Sequence, residues 1–216
     1  MKAPSPRTRV KRLHEKAAYD PAVIRAILDA QPLAHPGHLV EGAPVVTPTL
    51  QWREGERVYW HGSAASRMIR AAAGQPVCLT VTLLDGLVLA RSGLEHSVNF
   101  RSVMVFGQAE PVTEAADKAR HLEAMMERLF PGRWAQLRPM TGQELKSTAI
   151  LSLPITEASA KIGSGLPTDP PADRDWPVWA GVIPLRQLTG RPEPDPDCAP
   201  GLALPVVTFG DLAGGG

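Results

Sequence analysis

Gly62-Ser63-Ala64-Ala65-Ser66-Arg67 places a glycine, two hydroxyls and a guanidinium where an apolar strand gives way to a helical pattern. A helix start offers backbone N–H groups without intrahelical partners and lies at the positive end of the helix dipole. The hydroxyls of Ser63 and Ser66 and the planar fork of Arg67 complete a phosphate cradle. The same residues elsewhere serve as a cap plus a surface charge, so the flanking sequence has to decide between the two. His61, at the end of the preceding strand Val58-Tyr59-Trp60-His61, reads equally as a cofactor contact and as a hydrogen-bonded histidine at a sheet rim. No second His, Cys or carboxylate stands at metal-ligand spacing from it.

The elements that must position this segment are legible in outline. Asp20-Pro21 is a helix start, followed by the apolar face Val23, Ile24, Ile27 and Leu28. Strands are predicted over Leu33 to Val40 and Pro44 to Leu50, around a Glu41-Gly42 turn, and over Val58 to His61 after a turn at Glu54-Gly55. A helix is predicted from Ala64 to about Ala73. Strands Val77 to Leu84 and Leu87 to Ala90 flank an Asp85-Gly86 turn, and Ser102 to Phe106 follows a polar loop. The longest helix opens at Pro111-Val112-Thr113, with Ala115, Ala119, Leu122, Met126 and Leu129 on one side. Thr141 and Glu144 form a capping box, and Thr148 to Ile155 reads as the last full strand. About six strands joined by hairpin turns describe a small antiparallel barrel with inserted helices.

Composition narrows the function classes. The chain has 216 residues and a formal net charge of +1, with no basic excess of the kind phosphate neutralisation requires, so nucleic acid is not expected as a partner. No apolar run approaches the ~20 residues of a membrane-spanning helix, so none is expected in a membrane. The first 18 residues form a basic arm without a signal-peptide core, and a solvated or partner-wrapping role is expected for it. Residues 19–185 read as one domain, and residues 186–216 as a Pro- and Gly-rich tail. Cys78 and Cys198 do not make a disulfide framework, and Cys78 is expected as a small buried hydrophobe. The cytoplasm is the expected address. Trp52, Trp60 and Trp134 are expected in packing, Arg101 in an ion pair, and His96 with Glu95 in a solvated loop.

Between Tyr19 and Leu185 the order and spacing of several short motifs carry a resemblance. They are Pro44-Val45-Val46-Thr47-Pro48-Thr49, Tyr59-Trp60-His61-Gly62-Ser63, Ser66-Arg67-Met68, Asp85 to Ser92, Asn99-Phe100-Arg101-Ser102-Val103, Pro131-Gly132-Arg133-Trp134, Ala158-Ser159-Ala160-Lys161 and Trp179-Ala180-Gly181. The chain resembles the pyridoxamine 5′-phosphate oxidase-related flavin-nucleotide-binding proteins, close to the nitroimidazole-resistance reductases. The resemblance implies a six-stranded antiparallel split β-barrel and a homodimer with FMN at its interface. Val46, Thr47, Pro48 and Thr49 would line the isoalloxazine. His61, Gly62, Ser63, Ser66 and Arg67 would hold the ribityl chain and phosphate. Ser102 stands where true oxidases of this type place a flavin-contacting Gln, Lys161 would add charge near the phosphate, and Trp179 would pack on the flavin from the other subunit. Leu87, Val88, Leu89 and Val103 are expected at or beside that interface.

The chain departs from the vitamin-converting enzymes of that group. His121 to Arg128 lacks their Tyr/Arg/Ser set for the substrate phosphate, and their Arg-x-His-Asp-Arg segment is missing near Trp179. Pyridoxamine phosphate is therefore not the expected substrate. The reading is an FMN-dependent oxidoreductase that passes hydride or electrons from a reduced nicotinamide or organic donor to a small acceptor. A flavin carrier or sensor without turnover is the alternative, as is a related barrel with deazaflavin or haem in place of FMN.

Overall fold

The computed structural model describes residues 2–208. Its strands are β1 (Ala17–Ala18), β2 (Leu33–Val40), β3 (Ala43–Val46), β4 (Thr49–Glu54), β5 (Arg57–Ser63), β6 (Pro76–Leu89), β7 (Ser97–Gln108), β8 (Glu110–Val112), β9 (Thr148–Pro154), β10 (Glu157–Gly163) and β11 (Gly181–Pro184). All pairings are antiparallel, in the order β1-β10-β7-β6-β2-β4-β5-β9-β8, with β3 added to β2 and β11 to β6. The helices are α1 (Pro21–Ala30), α2 (Arg67–Ala72), α3 (Ala115–Leu129) and α4 (Gly142–Ser147). This is the mainly antiparallel, helix-decorated barrel that the sequence implies.

Local chemistry starts two of the helices where expected, while α2 begins at Arg67 rather than Ala64. The Asp20 carboxylate accepts from the Ala22 amide at 2.7 Å ahead of Pro21. Thr141 and Glu144 form a reciprocal capping box, and the Glu144 carboxyl is held down to about 2, first by Arg138 and then by Thr141. The longest helix begins at Ala115 rather than at Pro111, which lies in β8, and its buried face is His121, Leu122, Met125 and Leu129.

Two apolar cores result. The barrel interior is filled by Val58, Trp60, Leu79, Val81, Val103, Val105, Leu151, Leu153 and Ala160, closed by Ile24, Ile27 and Leu28 of α1 and Met68, Ile69 and Ala72 of α2. A second core lies under α3, where Trp52 and Tyr59 stack at 5.7 Å against Leu122, Met125, Leu129 and Ile150. Trp134 packs at its edge. The three tryptophans thus serve packing, as expected.

Several expectations need correction. Asp85-Gly86 is not a turn: β6 runs through it with a bulge between Leu84 and Gly86. Arg101 holds Asp85 through two bonds of 2.9 and 2.7 Å, the expected ion pair, and β11 packs against Gly86 so closely that a Cβ there would lie 3.1 Å from the Ile183 carbonyl oxygen. A partner strand and a side-chain fork therefore absorb a local turn signal. Val88 and Val103 face inward and are buried, while Leu87 and Leu89 keep exposed surface. β10 is a further full strand after Thr148 to Ile155. The N-terminal arm is not wholly solvated, because Arg7 pairs with Glu157 and lies 5.3 Å over the Phe106 ring while Thr8 is buried.

Cys78 is half-buried, and burial pushes its thiol up, against the weaker opposing effects of Thr80 and Arg7. Cys198 is exposed. With a thiol reagent at about pH 8, Cys198 is expected to react in a fast phase and Cys78 in a slow one. A single fast phase for both would contradict the packing of β6 and the arm.

Candidate functional site

β5 carries Trp60 into the core and then delivers His61, Gly62 and Ser63 to the rim, paired with Ile150, Ala149 and Thr148 of β9. The chain turns tightly after that. The Ala64 amide donates to the Ser147 carbonyl at 2.8 Å, Ala65 to the Ser63 hydroxyl at 3.2 Å, and Ser66 to the Ser63 carbonyl at 2.8 Å. Those three amides are thereby consumed. What the helix start leaves open is the Ser66 hydroxyl, which makes no cap bond, and the exposed Arg67 guanidinium, which has no hydrogen-bond or ion-pair partner among the described residues. The cradle is thus narrower than expected, with Ser63 acting chiefly on its own turn.

The helix is short, so packing rather than length fixes it. Met68, Ile69 and Ala72 enter the barrel core. Gly62 is required by that approach, since a Cβ on it would lie 3.2 Å from Ile69 Cγ1. The Thr47 amide donates to the Pro36 carbonyl at 3.3 Å, Val46 pairs with Gly37 and Thr49 with Ala34, so Val46 to Thr49 run along β2. Thr49 and Gly62 each lie two residues past the paired positions Gln51 and Trp60. α2 also packs on β2, β5 and β9. Val46 to Thr49 thus join β3 to β4, and His61 to Arg67 run from β5, the partner of β4, into α2.

Ser102 and Lys161 form a second group. They are direct partners on β7 and β10, and the Ser102 hydroxyl donates to the Lys161 carbonyl at 3.3 Å. They lie on the outer face of the sheet, in one row with Thr82. Trp179 is separate again, mostly exposed, its ring lying over Gly181 at the start of β11.

Burial lowers the His61 pKa, and its Nδ1 is buried without a partner. The folded state therefore prefers neutral imidazole. Above about pH 6.5 both folded and unfolded forms are neutral and this group adds no pH dependence; as pH falls through that value the unfolded chain binds the proton first. Stability is expected to drop between about pH 7 and 5, and His61→Gln is expected to flatten part of that slope in urea unfolding series. Identical slopes in the two proteins would place His61 in a solvated setting.

Residues not singled out by sequence complete the picture. Glu54 Oε1 bonds Trp52 Nε1 at 2.8 Å and His121 Nδ1 at 2.7 Å, and the His121 ring lies 4.3 Å from Tyr59. These partners come from β4, β5 and α3, and no local spacing announces them. Asp169, its side chain almost wholly buried, accepts from the Arg91 amide and guanidinium, both at 2.8 Å. Its carboxyl is held below the usual range, first by the Arg91 amide. That clamp ties the loop after β10 to the loop between β6 and β7.

No helix among the described residues is long and apolar enough to cross a membrane. No curated protein matches the chain. Among solved structures, the flavocytochrome Anf3 from Azotobacter vinelandii is 51% identical, with a TM-score of 0.91 over 95% of this chain and 96% of that one. An FAD- and haem-binding protein from Mycobacterium smegmatis is 38% identical, with a TM-score of 0.84 over 88% and 94%. A candidate 5-nitroimidazole antibiotic resistance protein from Bacteroides thetaiotaomicron shares the fold at 19% identity and a TM-score of 0.56, over 68% and 86%. The profile of the family described as pyridoxamine 5′-phosphate oxidase matches residues 20–162, which span the barrel, the rim around α2 and both core layers. This chain belongs to the pyridoxamine 5′-phosphate oxidase family.

Proposed function

We propose that this chain is a flavin-dependent redox protein that carries FAD together with haem. The observation that carries the reading is the similarity, over nearly the whole length of both chains, to a flavocytochrome and to an FAD- and haem-binding protein. The rim around α2 fits the flavin half. An unpaired guanidinium and an unbonded hydroxyl at a helix start are the donors a phosphate needs, and Gly62 keeps the backbone close. FMN, the sequence-based expectation, fits the same donors, and the relative from Mycobacterium smegmatis favours FAD.

In this reading Arg67 and Ser66 bind a cofactor phosphate, Val46 to Thr49 orient the ring, and neutral His61 holds a polar edge without adding charge. When bound, the flavin accepts electrons in pairs and the haem iron passes them singly. The protein supplies orientation and exclusion of water. An electron donor such as a reduced nicotinamide and a small acceptor complete the oxidoreductase reading. The outer sheet face, with Leu84, Leu87, Val98, Met104 and Ile183 partly exposed, is where we place a second copy of the chain.

Absorption spectroscopy of the purified protein tests the proposal. Flavin bands together with a Soret band are expected, and FAD in the supernatant after acid precipitation. Released FMN would return the site to the smaller cofactor, and a colourless protein that takes up neither flavin on titration would overturn the reading. Pyridoxamine phosphate with oxygen is expected to yield no saturable formation of pyridoxal phosphate, because the residues that would grip its phosphate are missing.

A further inference from the structure

We propose that the cavity between the ends of α1 and α3 is a binding site for a small, neutral, single-ring compound carrying one O–H donor, a molecule of the phenol class. The cavity measures about 240 Å³. Pockets for drug-sized ligands start at roughly 300 Å³, whereas an apolar cavity of about 150 Å³ holds a benzene ring. One ring with a small substituent is therefore what this space admits. None of the lining residues is among those assigned to the flavin.

The lining is apolar where it is most buried. Leu28, in the last turn of α1, and Leu129, at the end of α3, are 1% and 5% exposed, and Pro32 joins them from the link between α1 and β2. The acid and the base in the lining, Asp29 and Arg128, pair with each other at 2.8 Å, and Arg53 holds the same carboxylate. No free charge is left to attract an ion, so the ligand is neutral. Thr208 of the tail supplies a further wall. Every residue from Arg186 to Val206 is exposed, and then the chain touches down. Thr208 donates through its hydroxyl to the Arg128 carbonyl and through its amide to the Leu129 carbonyl at 3.2 Å. A helix end leaves such carbonyls without intrahelical donors, which is why the tail seats there.

Gln51 supplies the polar recognition. It lines the cavity and is only 2% exposed. Its Nε2 donates to the Leu28 and Gln31 carbonyls, both at 2.6 Å. Carbonyl oxygens only accept, so the amide cannot be turned over and Oε1 is fixed as the remaining acceptor. That oxygen is buried and has no donor. An unmet buried acceptor is costly, and a ligand O–H is the group that relieves it. Size rules out a cofactor, the paired charges rule out an ion, and the unmet oxygen calls for a donor.

Titration of the full chain with phenol, followed by nuclear magnetic resonance shifts, tests the assignment. Saturable shifts are expected at the amides of Leu28, Gln51, Leu129 and Thr208 and at the Gln51 side-chain NH₂. Anisole, the same ring with its O–H methylated, is expected to bind at least about tenfold more weakly, since it leaves Oε1 unmet. Ala30→Phe, at a half-buried position of the lining, is expected to fill the space and abolish the phenol shifts, with far-UV circular dichroism reporting the fold. No saturable shift at these residues, equal affinity for phenol and anisole, or phenol binding that survives Ala30→Phe would each overturn the assignment. The anisole comparison needs only the wild-type protein, so it decides the matter even where Ala30→Phe does not fold.

Discussion

Arg67→Ala is expected to weaken flavin binding by about 1.5–3 kcal/mol, roughly 10- to 150-fold, the range for a hydrogen bond to a charged group. Arg67 has no competing partner among the described residues, so its fork is available without breaking another bond. Nor does the helix depend on it, since α2 is anchored by Met68, Ile69 and Ala72. The loss should therefore appear in affinity and not in unfolding. Arg67→Lys is expected to recover only part, because a point charge cannot reproduce the planar fork. Quenching of flavin fluorescence on titration into the apoprotein measures both variants. Wild-type affinity in both would take Arg67 out of the site.

Trp60→Ala should cost about 3–5 kcal/mol of stability, the range for removing a large aromatic from a packed interior. Trp60 is fully buried in the barrel core among residues of β5, β6, β7 and β9. Trp60→Phe should cost much less, for a specific reason. The indole Nε1 is buried with no hydrogen-bond partner, so phenylalanine removes an unpaired donor as well as part of a ring. The two effects have opposite sign. Urea unfolding of the two variants separates them, and equal losses would mean that the indole N–H is satisfied in solution.

The helix starts were legible because their causes are local. An aspartate before Pro21 and a Thr141–Glu144 box need only neighbouring backbone groups, and both form. The rim around α2 was legible for the same reason: Ser66 and Arg67 sit where a strand must stop and a helix begin. Less visible was how much of that rim would be spent on itself. Ser147, from the end of α4, takes the Ala64 amide, and no spacing near residue 64 reveals it. The strand after Thr148 to Ile155 went unread because Glu157–Gly163 carries small residues whose burial depends on β7 beside them.

Taken alone, the sequence determined the barrel class, the helix start at Ser66-Arg67 and the family, because capping, alternation and motif order are carried by short runs of residues. Tertiary structure alone decided that β6 continues through Asp85-Gly86, since Arg101 and β11 outweigh a two-residue turn preference. It also decided that Val88 and Val103 turn inward, that Arg7 docks on Glu157, and that Ser102 and Lys161 face each other on β7 and β10. Above all it told apart histidines that look alike in the sequence, His61, His96 and His121 among them. Whether an imidazole nitrogen is sealed, bonded or free depends on partners brought in from other elements or fixed by a loop, and only the folded chain places the Ser92 carbonyl against His96.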